Sequence, residues 1–103
     1  MTVVALLSVA PVIEGSMASE VAKAVDALDG FDVSYETNPM GTVIEAEDVD
    51  ELFAAAAAAH RAVDADRVST VLKVDDKRTS DAGAGEKVAS VERELGRPPK
   101  RER

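Results

Sequence analysis

The spacing of apolar and polar positions changes period several times along this chain, and each change predicts a new element. Thr2 to Ala10 is apolar at nearly every position, as expected for a central strand covered on both faces. Apolar residues then recur at helical spacing from Met17 onward, Ser16 stands in a capping position, and Gly30 supplies a stop. The first third of the chain therefore predicts a strand followed by a helix.

The next segment predicts a β-hairpin. Val33 to Asn38 alternates in polarity, Asn-Pro-Met-Gly at 38–41 suits a tight turn, and Gly41 to Ala46 continues as a second strand. A two-residue turn pairs Asn38 with Gly41, Glu36 with Val43, and Ser34 with Glu45. Alternation then places two sets of side chains on opposite faces: Ser34, Glu36, Asn38, Val43 and Glu45 on one, and Val33, Tyr35, Thr37, Thr42 and Ile44 on the other. The second set is more apolar, so we expect it beneath the helices.

The rest of the chain predicts a helix, a strand and a second helix. Asp48 with Glu51 three residues later resembles a capping box that opens the first of these helices. Val68 to Asp75 alternates as a fourth strand, and a short helix from about Glu86 to Leu95 ends at Gly96. The first helix has an expected buried stripe of Val49, Leu52, Phe53, Ala56, His60 (or Ala59) and Val63.

This order, β-α-β-β-α-β with one further helix, defines the expected fold class. It is an α+β ferredoxin-like sandwich with a four-stranded antiparallel sheet under two helices and an extra C-terminal helix. We expect residues 1–96 to form this single domain and residues 97–103 to form a flexible basic tail.

Composition narrows the classes of partner. A formal net charge of −8 argues against nucleic acid, which requires a basic footprint. The apolar runs are too short to cross a membrane, and the start of the chain lacks the basic leader of a secretory signal. Without cysteine there are no disulfides or thiolate ligands, so the expected location is the cytoplasm. Few lysines and many alanines indicate adaptation to a salt-rich cytoplasm; an ordinary acidic protein from a GC-rich genome is the alternative.

The paired carboxylates of Glu36 and Glu45 on one sheet face call for compensation, because neighbouring carboxylates repel. We expect Lys73 or Arg67, a cationic ligand, or water to supply it. A purely solvated polar patch is the alternative.

Other candidate chemistry is weaker. His60, the only histidine, is expected to be a locally bonded boundary residue. With one histidine and no cysteine no transition-metal site is predicted, and a site of His60 with carboxylates is the alternative. Asp75-Asp76 followed by Lys77-Arg78 favours a charged segment at the end of the fourth strand over a divalent-ion site. Ser16 and Ser19 are expected to be residues of a helix start, and binding of an anion by them is the less favoured alternative. No nucleophilic triad, phosphate loop or zinc spacing occurs, so neither catalysis nor a cofactor is predicted.

Three stretches together resemble the small thiamine-binding protein family, long described as being of unknown function. They are Tyr35-Glu36-Thr37-Asn38-Pro39-Met40-Gly41-Thr42-Val43-Ile44-Glu45, Ala10-Pro11 with Gly15-Ser16 and Ser19, and the segment from Arg67 to Arg78. The resemblance covers roughly residues 2–95. It implies a ferredoxin-like fold whose sheets pack into homodimers or homotetramers, and binding of thiamine or its hydroxymethyl-aminopyrimidine half without known catalysis.

The candidate ligand site follows from this resemblance. Glu36 or Glu45 would engage the aminopyrimidine edge or the positive thiazolium. Asn38, Thr42 and Ser8 would donate or accept hydrogen bonds, and Tyr35 could stack on a ring although alternation points it toward the core. The expected function is therefore non-catalytic ligand binding by a cytoplasmic homo-oligomer. An interaction module whose open sheet face only mediates assembly is the main alternative, and a small enzyme is the third.

Overall fold

A computed structural model describes residues 2–100 and confirms the predicted order of elements. The strands and helices follow one another with short connections, apart from a 3-10 turn after the first helix at Leu28–Gly30. The bounds are β1 Val3–Pro11, α1 Ala18–Ala27, β2 Ser34–Asn38, β3 Gly41–Ala46, α2 Val49–Ala62, β4 Val68–Asp76 and α3 Ala84–Leu95.

The four strands form one antiparallel sheet in the order β2-β3-β1-β4. Along β1, buried and half-buried residues alternate strictly, because one face lies under α1 and α2 and the other carries neither helix. The buried face supplies most of the core, including Val3, Leu7 and Ile44. The predicted α+β ferredoxin-like class, with its extra C-terminal helix, is confirmed.

The β2–β3 hairpin has the predicted register. Asn38 pairs with Gly41, Glu36 with Val43, and Ser34 with Glu45. The Asn38 side-chain oxygen accepts a hydrogen bond from the Met40 amide at 2.9 Å, which closes the turn. Gly41 has a φ of +155°, and a Cβ there would lie 2.8 Å from the carbonyl oxygen of Leu7. The hairpin therefore approaches β1 at a distance that only glycine permits.

The buried face of α2 confirms Leu52, Ala56, Ala59 and Val63 of the predicted stripe and differs from it at the other positions. Phe53 is 51% exposed, and Val49 and His60 are exposed as well. The residues that pack on the sheet are Leu52, Ala55, Ala56, Ala59 and Val63. Because these are mostly alanines, the helix axis lies close to the sheet, and the bulkier Phe53 is turned to the outside.

The start of α2 uses its acidic residues in two ways. The Asp48 side chain accepts a hydrogen bond from the Asp50 amide at 2.9 Å, as a helix cap does. Glu51 does not complete the predicted capping box, since its carboxylate accepts from the backbone amide of Asp32 at 2.9 Å. Glu51 thereby ties the segment entering β2 to α2.

The chain leaves the sheet through α3. This helix ends at Leu95, and Gly96 takes a left-handed φ of +76° as its C-cap. The expected flexibility of residues 97–103 stays a prediction, and residues 101–103 lie outside the described part of the chain. None of the helices described between residues 2 and 100 is long and apolar enough to cross a membrane.

Candidate functional site

The six predicted site residues lie in two separate places. Ser8, Asn38 and Thr42 line a cleft of about 170 Å³ between the end of β1, the start of α1 and the hairpin turn. We call this the hairpin-end cleft. Its remaining walls are mainly apolar and come from β1, α1 and the turn: Leu7, Val9, Met17, Val21, Ala24, Val25, Leu28, Pro39 and Met40, with Thr37 as a further polar residue.

The polar groups of the hairpin-end cleft have unused hydrogen-bonding capacity. The hydroxyls of Thr37 and Thr42 lie 3.0 Å apart, and Thr42 is 5% exposed. One hydroxyl donates to the other, which leaves one O–H and several lone pairs for a further partner. Ser8 and Asn38 also border the cleft, but strand alternation places their side chains with Leu6 and Glu36 on the open face of the sheet. The cleft therefore offers both donors and acceptors to a ligand.

Size and charge limit what the cleft can hold. Pockets for drug-sized ligands measure about 300–1,000 Å³, so 170 Å³ suits a single ring with its substituents. None of the described residues that line the cleft carries a charge. A neutral heteroaromatic ring with hydrogen-bonding edges matches these walls.

Glu36 and Glu45 lie elsewhere, in a shallow depression on the open face of the sheet. This carboxylate depression measures about 200 Å³ and is lined by Ser34, Tyr35, Glu36, Val43, Glu45, Ala84 and Gly85. The Glu45 carboxylate accepts a hydrogen bond from the backbone amide of Ala84, the first residue of α3. A carboxylate at a helix N-terminus is favourable because the free amides there carry partial positive charge.

Of the three expected sources of compensation, a basic side chain, a cationic ligand or water, the first is not found for Glu45 at Lys73 or Arg67. The order of strands places β4, which carries Lys73, at the sheet edge opposite β2. Among the described residues neither basic side chain forms an ion pair with Glu36 or Glu45. The Glu45 carboxylate is compensated by the backbone amide of Ala84 at the start of α3, which lies 39 residues further along the chain.

The Tyr35 hydroxyl forms its hydrogen bond on the helix side of the sheet. Tyr35 also lines the carboxylate depression, but its hydroxyl donates to the Asp29 carboxylate at 2.5 Å, in the turn after α1. This hydrogen bond to a negative group raises the pKa of the Tyr35 hydroxyl above its ordinary value. Alternation correctly predicts the helix side, but the side chain is 37% exposed and lies at the edge of the core.

Sequence reasoning missed several cleft residues that carried a usable signal. Thr37 shares the Thr42 face by alternation, and Val21 and Val25 belong to the apolar face of α1. Met17 and Met40 carried no such signal, because one precedes a helix and the other sits in a turn. Ser16 accepts from the Ala18 amide at 3.2 Å, so it lies at the helix start as expected, but the N-cap residue is Met17 and the predicted capping position of Ser16 is wrong by one residue.

The weaker candidates have local partners. The His60 Nδ1 atom lies 2.6 Å from the Thr70 hydroxyl on β4, in line with a locally bonded boundary residue. Asp75 pairs with Lys87, and the Lys87 ammonium lowers the pKa of Asp75. Asp76 lies 3.4 Å from the Arg78 side chain. Residues 2–100 contain no group of three histidine, aspartate or glutamate side chains arranged to hold a metal ion.

A ferredoxin-like domain with a ring-sized cleft at its hairpin end is the class of protein that these observations define. Residues 5–92 match the family described as "Thiamine-binding protein". The chain belongs to the thiamine-binding protein family, which confirms the resemblance seen in its sequence.

Individual relatives agree with this assignment. A UPF0045 protein of Methanothermobacter thermautotrophicus is 51% identical over 83 residues, which cover 78% of this chain and 84% of that protein. A UPF0045 protein of Methanocaldococcus jannaschii is 38% identical over 96 residues, covering 90% of this chain and 88% of the relative.

Solved structures show the same fold. A hypothetical protein of M. jannaschii superimposes with a TM-score of 0.81 at 36% identity, covering 87% of this chain and 95% of the other. A Thermotoga maritima protein, named for a suspected role in thiamine biosynthesis or salvage, superimposes with a TM-score of 0.76. It is 22% identical and covers 88% of this chain and 99% of its own, so it supports the fold alone.

Proposed function

We propose that this chain binds thiamine or a related aminopyrimidine, without catalysing a reaction, as a homo-oligomer in the cytoplasm. The observation that carries the proposal is the family match over residues 5–92, because it spans every residue that lines the hairpin-end cleft. The free hydrogen-bonding capacity of the Thr37–Thr42 hydroxyl pair in that cleft supports it.

The chemistry of an aminopyrimidine fits the cleft. Its exocyclic amine donates hydrogen bonds and its ring nitrogens accept them, and the Thr37–Thr42 pair offers both complements. The apolar walls from α1 would cover the ring faces, and the methionines suit aromatic contacts because their sulfur is polarisable. In this proposal Thr42 and Thr37 hold the ring edge, and Ser8 and Asn38 border the cleft from the strand ends.

The carboxylate depression is a second, separate candidate position for the positive thiazolium of thiamine. It lies on the opposite face of the sheet from the hairpin-end cleft, so one thiamine molecule, whose two rings are joined by a single methylene, occupies one position and not both. Glu36 makes no hydrogen bond within the described residues, so its charge is available to a cation. Glu45 shares this depression, but its carboxylate is already engaged by α3. Glu36 is therefore the better carboxylate for the ligand, and Tyr35 contributes from its edge.

The test is a titration followed by calorimetry and by thermal unfolding. We expect thiamine or the free hydroxymethyl-aminopyrimidine to raise the unfolding temperature, since a ligand that binds only the native state stabilises it. Thr42→Val should weaken binding roughly tenfold or more, because it removes a hydroxyl at nearly constant volume. Thr70→Val is the matched control, since its hydroxyl contacts His60 outside the cleft. No shift with millimolar thiamine, thiamine pyrophosphate or the free pyrimidine would overturn the proposal.

Two further variants locate the cation. Thiamine bound in the hairpin-end cleft should be unaffected by Glu36→Gln, whereas thiamine bound on the open face through its thiazolium charge should be weakened by it. If Glu36→Gln and Glu45→Gln both bind thiamine as the wild type does, the carboxylate depression is not part of the site.

A second candidate function, assembly through the open sheet face, has its own observation. Leu6, Val43 and Val71 lie on the sheet face that carries neither α1 nor α2, and Val71 is 60% exposed. An exposed apolar band of this kind favours packing against another sheet. Val71→Asp should then lower the oligomer mass in sedimentation, and an unchanged mass would exclude this face.

A further inference from the structure

Two of the three methionines of this chain border the hairpin-end cleft. Met40 lies in the hairpin turn and is 80% exposed, more than any other large apolar residue that the structure describes. Met17 lies just before α1 and is 43% exposed. The third, Met1, lies outside the described residues. Because the chain contains no cysteine, all its sulfur is in methionine thioethers, and the cleft is lined by two of them.

A methionine thioether reacts with a peroxide by oxygen transfer. A lone pair on Sδ attacks one oxygen of hydrogen peroxide, the O–O bond breaks, and an S–O bond forms. The other oxygen leaves as hydroxide and takes the proton from the transferred oxygen, so the by-product is water. The sulfur gives up an electron pair, and the peroxide is reduced by it. The product, methionine sulfoxide, is polar where the thioether was apolar, and sulfoxide reductases reverse the change.

We propose that Met40 is an oxidation site through which a peroxide lowers the affinity of the hairpin-end cleft for its ligand. This inference rests on the proposed function of the cleft, whose walls are mainly apolar and, among the described residues, uncharged. A ring that fills the cleft would cover the sulfoxide oxygen of Met40 and strip water from it, which costs free energy unless a donor replaces that water. The amine of an aminopyrimidine is engaged by the Thr37–Thr42 pair in the proposed arrangement, so it does not serve the sulfoxide.

Exposure distinguishes Met40 from Met17. Met40 is open to a peroxide in solution, whereas Met17 is more than half covered by its surroundings. In the free protein the Met40 sulfoxide turns toward water, because the side chain is unbranched and has several rotatable bonds. The backbone stays in place, since the Met40 amide donates to the Asn38 side chain at 2.9 Å. Oxidation of Met40 therefore changes the ligand-bound state much more than it changes the fold.

The first test is graded oxidation with hydrogen peroxide, followed by peptide mapping in a mass spectrometer. Met40 should gain the mass of one oxygen atom at a peroxide dose that leaves most of Met17 unmodified, because the two residues differ in exposure. The unfolding temperature of the unliganded protein should change little at that dose. Faster oxidation of Met17, or unfolding of the protein once Met40 is oxidised, would overturn the proposal.

The second test is calorimetric titration of untreated and oxidised protein with hydroxymethyl-aminopyrimidine. Oxidation should raise the dissociation constant of the wild type by roughly tenfold. Met40→Leu removes the reactive sulfur, so the same peroxide dose should leave its dissociation constant equal to that of its own untreated form. Met17→Leu is the matched control: it keeps Met40 and should lose affinity on oxidation as the wild type does. An equal loss of affinity in oxidised Met40→Leu would assign the effect to another residue and overturn the proposal.

Two further measurements separate this inference from the proposed function. Met40→Gln introduces a polar group without an oxidant and should weaken binding of the pyrimidine by a similar factor, and sulfoxide reductases should restore the affinity of oxidised wild type. If the untreated wild type does not bind the pyrimidine, the cleft is not its site and both proposals fail. If the untreated protein binds it and the Met40 sulfoxide form binds it equally well, only the oxidation site is wrong.

Discussion

Gly41 shows how one residue fixes the position of the hairpin-end cleft. It follows the turn, pairs with Asn38, and brings the hairpin close enough to β1 that a Cβ would meet the Leu7 carbonyl oxygen. Because Thr42 is the next residue, the position of its buried hydroxyl depends on this close approach.

Gly41→Ala should therefore destabilise the fold. We expect a loss of roughly 1–3 kcal/mol in the free energy of unfolding, from a backbone angle that suits glycine and from the contact with Leu7. Urea denaturation measures this loss. Gly85→Ala is the matched control: that glycine lies inside α3 with open space around its Cβ position, so alanine should add about 0.5–1 kcal/mol. Equal effects of the two substitutions would contradict the steric argument.

Tyr35 offers a second test at the residue scale, because the chain has one tyrosine and no tryptophan. Its hydrogen bond to Asp29 raises the pKa of the hydroxyl, so the neutral form is the one that the fold favours. The stability that this bond supplies is fully present below the unfolded-state pKa of about 10. It is lost as the pH rises through the higher folded-state pKa.

Titration of the phenolate absorbance should accordingly give a midpoint above that of the denatured chain. In Asp29→Ala the midpoint should fall back toward the ordinary value, because both the acceptor and its negative charge are removed. Identical midpoints in the wild type and in Asp29→Ala would show that the bond does not persist in solution.

At the scale of elements, the hairpin and α2 differ sharply in how well the sequence predicts them. The predicted register and facing of the β2–β3 hairpin are confirmed. Asn-Pro-Met-Gly fixes the length of the loop. Because side chains in a strand alternate with a period of two, the loop length then determines the face on which each residue lies. Helix α2 is right in extent and right in facing only in part: Leu52, Ala56, Ala59 and Val63 of the predicted stripe are buried, and its other members are exposed. Ala54 to Ala59 are apolar on every side, so the pattern carries no direction there, and Phe53 suggested a face that the closely packed sheet cannot accept.

The sequence likewise predicts some features of the candidate site and not others. Alternation places Thr42 on the helix face and Glu36 and Glu45 on the open face, so a single site containing all three was never geometrically consistent. The contact of Glu45 with Ala84 could not be predicted, because it joins segments 39 residues apart and depends on where a charged loop returns to the sheet. Local patterns specify strands and turns, and contacts of this kind depend on the assembled fold.

The anchor of α3 can be tested directly. Glu45→Ala removes the carboxylate that accepts from the Ala84 amide, so the first turn of α3 should lose protection against hydrogen exchange. Glu36→Ala, which removes the neighbouring carboxylate without touching the helix, should leave the exchange of α3 unchanged. If Glu45→Ala leaves the hydrogen exchange of Ala84 and the following amides unaltered, the hydrogen bond from Ala84 to Glu45 does not stabilise the start of α3.

At the scale of the whole molecule, charge is the dominant feature. The ion pairs Glu20–Lys23, Asp75–Lys87 and Glu86–Arg93 are local and largely exposed, and pairs of this kind stabilise a protein little. They also leave the formal net charge of −8 uncompensated, so the folded chain repels itself. Salt should therefore stabilise this protein, and the two explanations of its acidity differ in how far that effect extends.

Thermal unfolding in increasing KCl distinguishes them. Screening is almost complete by about 1 M, where the Debye length is about 3 Å. For an ordinary acidic protein the unfolding temperature should rise and then level off near that concentration. For a protein adapted to a salt-rich cytoplasm, which is the explanation we favour, it should continue to rise above 1 M. Replacing the exposed Glu14, Glu47 and Asp66 with lysine adds two charges at each position and brings the net charge from −8 to about −2. This control should flatten the low-salt rise, because that part comes from self-repulsion. A wild-type curve that is flat throughout would contradict both explanations.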